Sequence, residues 1–166
     1  MSQAKAIPER SQIAPEFTWN TADLYPTDQA WQEDFSRLQA MVPKLAACAG
    51  RLGESADALY AYVTLEQEAG ELLVKLMDYA QRRSDEDTRV PEYQAMVGKI
   101  TSQYVALSQA VSFEIPEVLR IPTETLERFY GEKPELELYR RYFTIIQDRR
   151  EHTLSDAEEK LLAGVG

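Results

Sequence analysis

The sequence predicts an all-α fold: an antiparallel helical bundle or lobe with an extended N-terminal arm and no sheet. Three observations carry this. Apolar residues recur in alternating steps of three and four along at least three stretches, the spacing that puts them on one face of a helix. The seven glycines and eight prolines fall mostly between those stretches, as punctuation. No apolar–polar alternation of useful length marks a strand, and no internal repeat of solenoid period is present.

The arm comes first, over residues 1–26. Pro8 and Pro15, with polar residues between single apolar ones, favour extended chain over helix. Trp19, Leu24 and Tyr25 bring large apolar areas to it, so "FTWNTADLYP" is expected to dock on the helical body. Deleting the residues before Thr27 should then lower the melting temperature, and an unchanged value would refute the docking.

Residues 27–166 read as the helical lobe. Thr27 is a good N-cap, and Trp31, Phe35, Leu38, Val42, Leu45 and Ala49 follow on one face. Pro43 removes a donor inside this pattern and is expected to kink or divide the helix, while Gly50 and Gly53 offer stops. Ser55 can cap a second helix carrying Leu59, Val63, Ala69, Leu73, Leu76, Met77 and Ala80. Leu65, Leu72 and Tyr79 widen its face, which predicts burial on two sides.

"RRSDEDTRVPEY" is a polar break whose Pro91 suits the first turn of a third helix. Tyr93, Val97, Ile100, Tyr104, Leu107 and Val111 form its expected seam. "SFEIPEVLRIP" reads as a proline-punctuated connection with one helical turn. A short helix around Leu126 and Phe129 follows, then a break at "GEKP" and a longer helix bearing Leu136, Tyr139, Phe143 and Ile146. Ser155 stands three residues before Glu158, the capping-box spacing of a last helix with Leu161 and Leu162 on its apolar face.

Composition narrows the function classes. A chain of 166 residues, 44% apolar and 28% charged, can bury a proper core without staples and is too apolar for disorder. Its 28 acids against 18 bases give a net charge of −10, which repels phosphate backbones. The most basic stretch, "RRYFTIIQDRR", is interrupted by Asp148 and reads as a solvated helix face, so no nucleic-acid partner is expected. Cys48 is the one cysteine, so an internal disulfide is impossible, and "LAACAG" looks like helix packing. No apolar run approaches the ~20 residues that span a bilayer, and no secretory signal opens the chain; no membrane partner and a cytoplasmic location are the expectation.

Residue chemistry by itself nominates no catalytic, cofactor-binding or metal-binding residue. His152 is the one histidine, and with Cys48 it falls short of the three or four ligands of a zinc site. No histidine stands three after a glutamate, as a di-iron bundle requires. Ser155 lies near His152, but capping already accounts for it. Asp85, Glu86 and Asp87 lack the glycine and spacing of a calcium loop and read as a solvated connection. Among the nine tyrosines, Tyr62, Tyr79, Tyr139 and Tyr142 are candidates to line a peptide groove, although tyrosines on helical seams are more often core.

Four stretches together carry a resemblance: "IPERSQIAPEFTWNTADLYPTDQAWQEDF", "MDYAQRRSDEDTRVPEYQAM", "SFEIPEVLRIP" and "REHTLSDAEEKLLAG". In order and spacing they resemble the N-terminal part of oligoendopeptidase F, a zinc peptidase family similar to thimet oligopeptidase. The resemblance implies an enzyme that hydrolyses short peptides in a channel between helical lobes. There a zinc held by H-E-x-x-H and a later glutamate activates water. None of those positions exists in this chain, so no catalytic residue carries over, and the chain alone is expected to be inactive. It would be a lobe truncated before the zinc-bearing region, which would be its partner together with oligopeptide substrates; self-association of the fragment would follow from its uncovered apolar surface. The alternative is a free-standing helical interaction module with no catalysis.

Overall fold

The computed structural model describes residues 12–149. Six α-helices form it: α1 Asp28–Ala46, α2 Ala56–Glu86, α3 Pro91–Ala110, α4 Glu114–Arg120, α5 Thr123–Glu132 and α6 Arg140–Gln147. Among the described residues there is no strand, as the missing alternation requires. The chain divides into two compact units, Met1–Ala46 with Leu65–Ala110, and Ala47–Thr64 with Val111–Gly166. Helix α2 contributes its first nine residues to the second unit and the remainder to the first.

In the first unit, Thr27 caps α1, its Oγ1 accepting the Ala30 N–H at 3.2 Å. The face it starts buries Trp31, Phe35, Leu38, Met41 and Leu45. Met41 is buried where Val42 was expected, and Val42 is half-buried. Trp31 stacks on Phe35 at 5.1 Å and donates its indole N–H to the Leu76 carbonyl of α2 at 2.9 Å. Pro43 lies within α1 and does not divide it. It sits in the last turn, where one lost ladder bond costs little continuity.

Helix α2 keeps one continuous buried stripe, with Ala69, Leu72, Leu73, Leu76, Tyr79 and Ala80 in this unit. Val74 and Met77 face outward, so burial is on one side and not two. Helix α3 starts with Pro91 at its first position, where the missing N–H has no ladder partner to lose. Its buried seam is Met96, Ile100, Gln103 and Leu107. Ile100 and Leu107 are common to this and the expected seam; the helix is rotated so that Met96 and Gln103 replace Val97 and Tyr104.

The arm is buried most deeply at Tyr25. Two 3-10 turns, Pro15–Phe17 and Thr21–Asp23, lead to Tyr25, which is buried with its ring edge-on to Tyr79 at 5.4 Å. Its hydroxyl donates to Asp34 at 3.0 Å and the Lys75 ammonium lies over its ring. Leu24 is half-buried, whereas Trp19 is 55% exposed, with the Arg82 guanidinium over its ring, and Phe17 is 78% exposed. The aromatic content of the arm thus overstates its docking.

In the second unit a tight loop follows α1. Cys48 lies in its first turn, half-buried, and not on a packed helix face. Gly50 has φ +81°, a conformation that glycine adopts without a Cβ penalty. Ser55 Oγ accepts the Ala58 N–H at 3.1 Å and so caps α2. Beyond α4 and α5, the stretch expected as one long helix is split into a 3-10 turn, Pro134–Tyr139, and α6. Pro134 heads the tight turn, which buries Leu136, while Phe143 and Ile146 are buried from α6. Gln147 ties α6 to the α4–α5 connection, donating to the Ile121 carbonyl at 2.9 Å and accepting from the Thr123 hydroxyl at 3.2 Å. The capping box at Ser155, together with His152, Leu161 and Leu162, lies outside the described residues.

Candidate functional site

The second unit carries a cleft of about 490 Å³. Two short helices set its chemistry. Glu117 and Arg120 are three apart on α4, Thr125 and Arg128 three apart on α5, so each pair shares a helix face, and Ile121 and Pro122 turn the chain between them. Gly50 and Gly53 of the preceding loop complete the lining.

The Glu117 carboxylate is already committed. One oxygen accepts the Gly50 N–H and the other the Leu52 N–H at 3.3 Å, so it acts as an acceptor that fixes the loop. Its charge is thereby spent on backbone donors. Arg128 lies over the Phe129 ring and reaches Glu132 at 3.5 Å on its own helix, and Arg120 is exposed. With two guanidinium groups and one committed carboxylate, the cleft is suited to an anionic or hydrogen-bond-accepting group. Cys48 lies in the adjoining loop; burial, reinforced by Glu117 and opposed by Arg51, pushes its thiol up and away from thiolate chemistry.

A buried carboxyl group lies in the same unit. Glu114, 7% exposed, accepts the Tyr142 hydroxyl at 2.8 Å and has Tyr62 beside it. Burial raises its proton affinity, and the two tyrosines beside it, Tyr142 by its hydrogen bond, partly offset the rise. Tyr62 packs in turn on Phe113, with ring centres 5.5 Å apart. Sequence reasoning missed Glu114: within "SFEIPE" it looks like one more solvated connection residue, and no spacing signal distinguishes it.

The four tyrosines singled out from the sequence are divided between the two units. Tyr62 and Tyr142 meet on Glu114, and Tyr79 belongs to the first unit, where its hydroxyl donates to Asp28 at 2.7 Å. Tyr139 is half-buried in the 3-10 turn. The acidic run is likewise divided among private partners. Asp85 accepts from Gln81, Glu86 pairs with Arg83 at 3.1 Å, and Asp87 is folded onto Arg89. The Arg89 side chain, and then its backbone N–H, lower the Asp87 carboxyl to about 2. Among the described residues no group of three or more His, Cys, Asp or Glu could hold a metal ion.

Comparison with known proteins places this lobe. The family model described as Oligopeptidase F matches residues 117–166. Oligopeptidase PepF of Bacillus subtilis is 37% identical over 161 residues, covering 97% of this chain and 24% of that protein. The chain belongs with the N-terminal lobe of the oligoendopeptidase F family. Group B oligopeptidase PepB of Streptococcus agalactiae is 31% identical, over 93% of this chain and 26% of its own. The crystal structure of oligoendopeptidase-F from Enterococcus faecium superposes with a TM-score of 0.67 and 30% identity, over 84% of this chain and 28% of that one. A Chlamydophila abortus structure reaches 0.81 over 96% of this chain and 27% of that one, at 25% identity. The oligoendopeptidase F lobe therefore spans about a quarter of the length of its relatives. No helix among the described residues is long and apolar enough to cross a membrane.

Proposed function

We propose that this chain is the N-terminal lobe of a zinc-dependent endopeptidase that hydrolyses short peptides in the cytoplasm, residues 27–166 forming the lobe and residues up to 26 its arm. The observation that supports this best is the coverage. Relatives whose names state oligopeptidase activity align with 93–97% of this chain but use only a quarter of their own length for it. The described residues offer no donor set for zinc, and a chain with one histidine cannot hold H-E-x-x-H. The metal chemistry thus belongs to polypeptide beyond the chain, and the lobe acts by shape. As one wall of a channel, it admits flexible peptides and keeps folded proteins from the metal, and the 166-residue chain alone has no activity.

The test is to assay the longer polypeptide that contains this chain against a quenched fluorescent peptide, with and without a chelator. Cleavage that stops on chelation is the expected result. Cleavage insensitive to the chelator, or cleavage by the 166-residue chain itself, overturns the reading.

A further inference from the structure

The wall of the cleft in the second unit carries hydrogen-bond donors that the described chain does not use. Arg120 has no carboxylate partner among the described residues, although the chain holds 28 acids against 18 bases. Elsewhere in the same unit Arg51 closes on Glu54 at 3.1 Å and Arg140 on Glu137 at 2.7 Å. Arg128 reaches Glu132 only at 3.5 Å and is largely exposed, so it too keeps N–H groups for another acceptor.

The Thr125 hydroxyl is a third such donor. Thr64, Thr101 and Thr144 each donate back to the carbonyl four residues earlier, at 2.8, 2.8 and 2.9 Å. The carbonyl four before Thr125 is that of Ile121, which lies ahead of α5 and accepts the Gln147 amide. The Thr125 hydroxyl, half-buried in the cleft wall, has no partner among the described residues. The acceptor that would quench these groups is turned away, because the Gly50 and Leu52 amides hold both Glu117 oxygens.

A guanidinium donates and never accepts, so a ligand of this cleft must bring the acceptors. One free and one shared guanidinium balance about one negative charge, and the chain's net charge of −10 opposes a multiply charged phosphate. A carboxylate is singly charged, planar and matched to the guanidinium fork. The volume of about 490 Å³ far exceeds the ~30 Å³ of a water, and Ile121 and Pro122 supply an apolar side, so an organic body fits behind the charge.

We propose that this cleft binds the carboxylate of a short peptide, at its C-terminus or on an acidic side chain, with Arg120 as the main charge partner, Arg128 as the second and Thr125 as a hydrogen-bond donor. The peptide as bearer of the group rests on the reading of the chain as a peptidase lobe; the carboxylate rests on the cleft itself.

The experiment is a calorimetric titration of the longer polypeptide, chelator present, beside its Arg120→Gln variant; affinity that the variant loses is affinity at the cleft. Trialanine should lose about tenfold or more, and trialanine amide should lose nothing. Arg120→Lys, which keeps the charge without the fork, should fall between, and Thr125→Val should cost about threefold. Melting temperatures should stay unchanged, since Arg120 is exposed and Thr125 half-exposed. A third probe, the amide with a central glutamate, tells the two sources apart: binding that depends on Arg120 extends the site to acidic side chains, and its absence confines the site to chain ends. Trialanine binding that Arg120→Gln leaves unchanged, equal losses for acid and amide, or inorganic phosphate binding more tightly than trialanine overturns the proposal. Cleavage of the fluorescent peptide is scored separately. Chelator-sensitive cleavage without Arg120-dependent binding retains the lobe reading and sinks this one, and Arg120-dependent binding with chelator-insensitive cleavage does the reverse.

Discussion

In the first unit α1 and α3 run for 19 and 20 residues; in the second α4, α5 and α6 run for 7, 10 and 8. Isolated helices below about 12–15 residues are marginal in water. The first unit relies on long stripes of apolar side chains, with tyrosine hydroxyls bonding to carboxylates at their edges. The second holds its short helices with groups that reach across the chain: Glu117 on the Gly50–Leu52 loop, Gln147 on the α4–α5 connection, and Glu114 between two tyrosines. Where helices are too short to persist alone, polar tertiary bonds do more of the specification.

Substitutions should separate the two strategies. The largest loss is expected in the first unit from Trp31→Ala, which removes a fully buried ring, its stack on Phe35 and its bond to Leu76; about 3–5 kcal/mol should disappear in chemical denaturation. Next, Glu117→Ala removes the acceptor from one exposed and one part-buried loop amide in the second unit and should cost about 0.5–1.5 kcal/mol, with Glu117→Gln, which keeps one acceptor, falling between. If Glu117→Ala is silent, the polar-bond account of the second unit is wrong.

A pH profile sharpens the contrast. Because burial lifts the folded proton affinity of Glu114 above the unfolded one, its contribution is fully present below the ordinary glutamate range and is lost as pH rises through the raised folded value. Glu114→Gln should remove that decline and leave stability at neutral pH within about 1 kcal/mol of the parent, since the amide oxygen still accepts a tyrosine bond. Denaturation midpoints between pH 4 and 8 would show the two curves diverging towards the alkaline end. The smallest effect belongs to Arg37→Ala. Arg37 bridges Asp34 and Glu68 at 2.9 Å each, but Arg37 and Glu68 are exposed and half-buried Asp34 keeps its bond from Tyr25, so the midpoint should not move measurably at physiological salt.

What could be read from the sequence follows the same division. The stripes of α1 and α2 were legible because three-and-four spacing over several turns has one solution, and Thr27, Ser55 and Pro91 mark their helix starts by chemistry that acts locally. The face of α3 was not, because Val97 and Tyr104 on one flank are as apolar as Met96 on the other, and only the neighbouring helices decide the rotation. The second unit was less legible still. Leu136 and Phe143 keep helical spacing across a 3-10 turn that Pro134 starts, and Glu114 and Glu117 resemble surface acids until the loop and the tyrosines that meet them are in place. The arm misleads in the opposite direction, since Trp19 carries the apolar bulk of a core residue and stays half in solvent. No stretch within the chain spelled out a reaction; the succession of four motifs pointed to a family, and the comparisons agree with that family.

Helix α2 has a consequence for how the protein melts. Its hydrogen-bond ladder runs without a break from Ala56 to Glu86, and the line between the units falls inside it, between Thr64 and Leu65. If either unit opened alone, the ladder would end there at a new terminus, with up to four backbone groups losing their ladder partners, and Thr64 with Gln67 three residues on could cap only the half that begins at Leu65. That penalty is avoided only when both units form or dissolve together. The chain should therefore melt in a single sharp transition, and cutting α2 at Thr64 should make that transition broad.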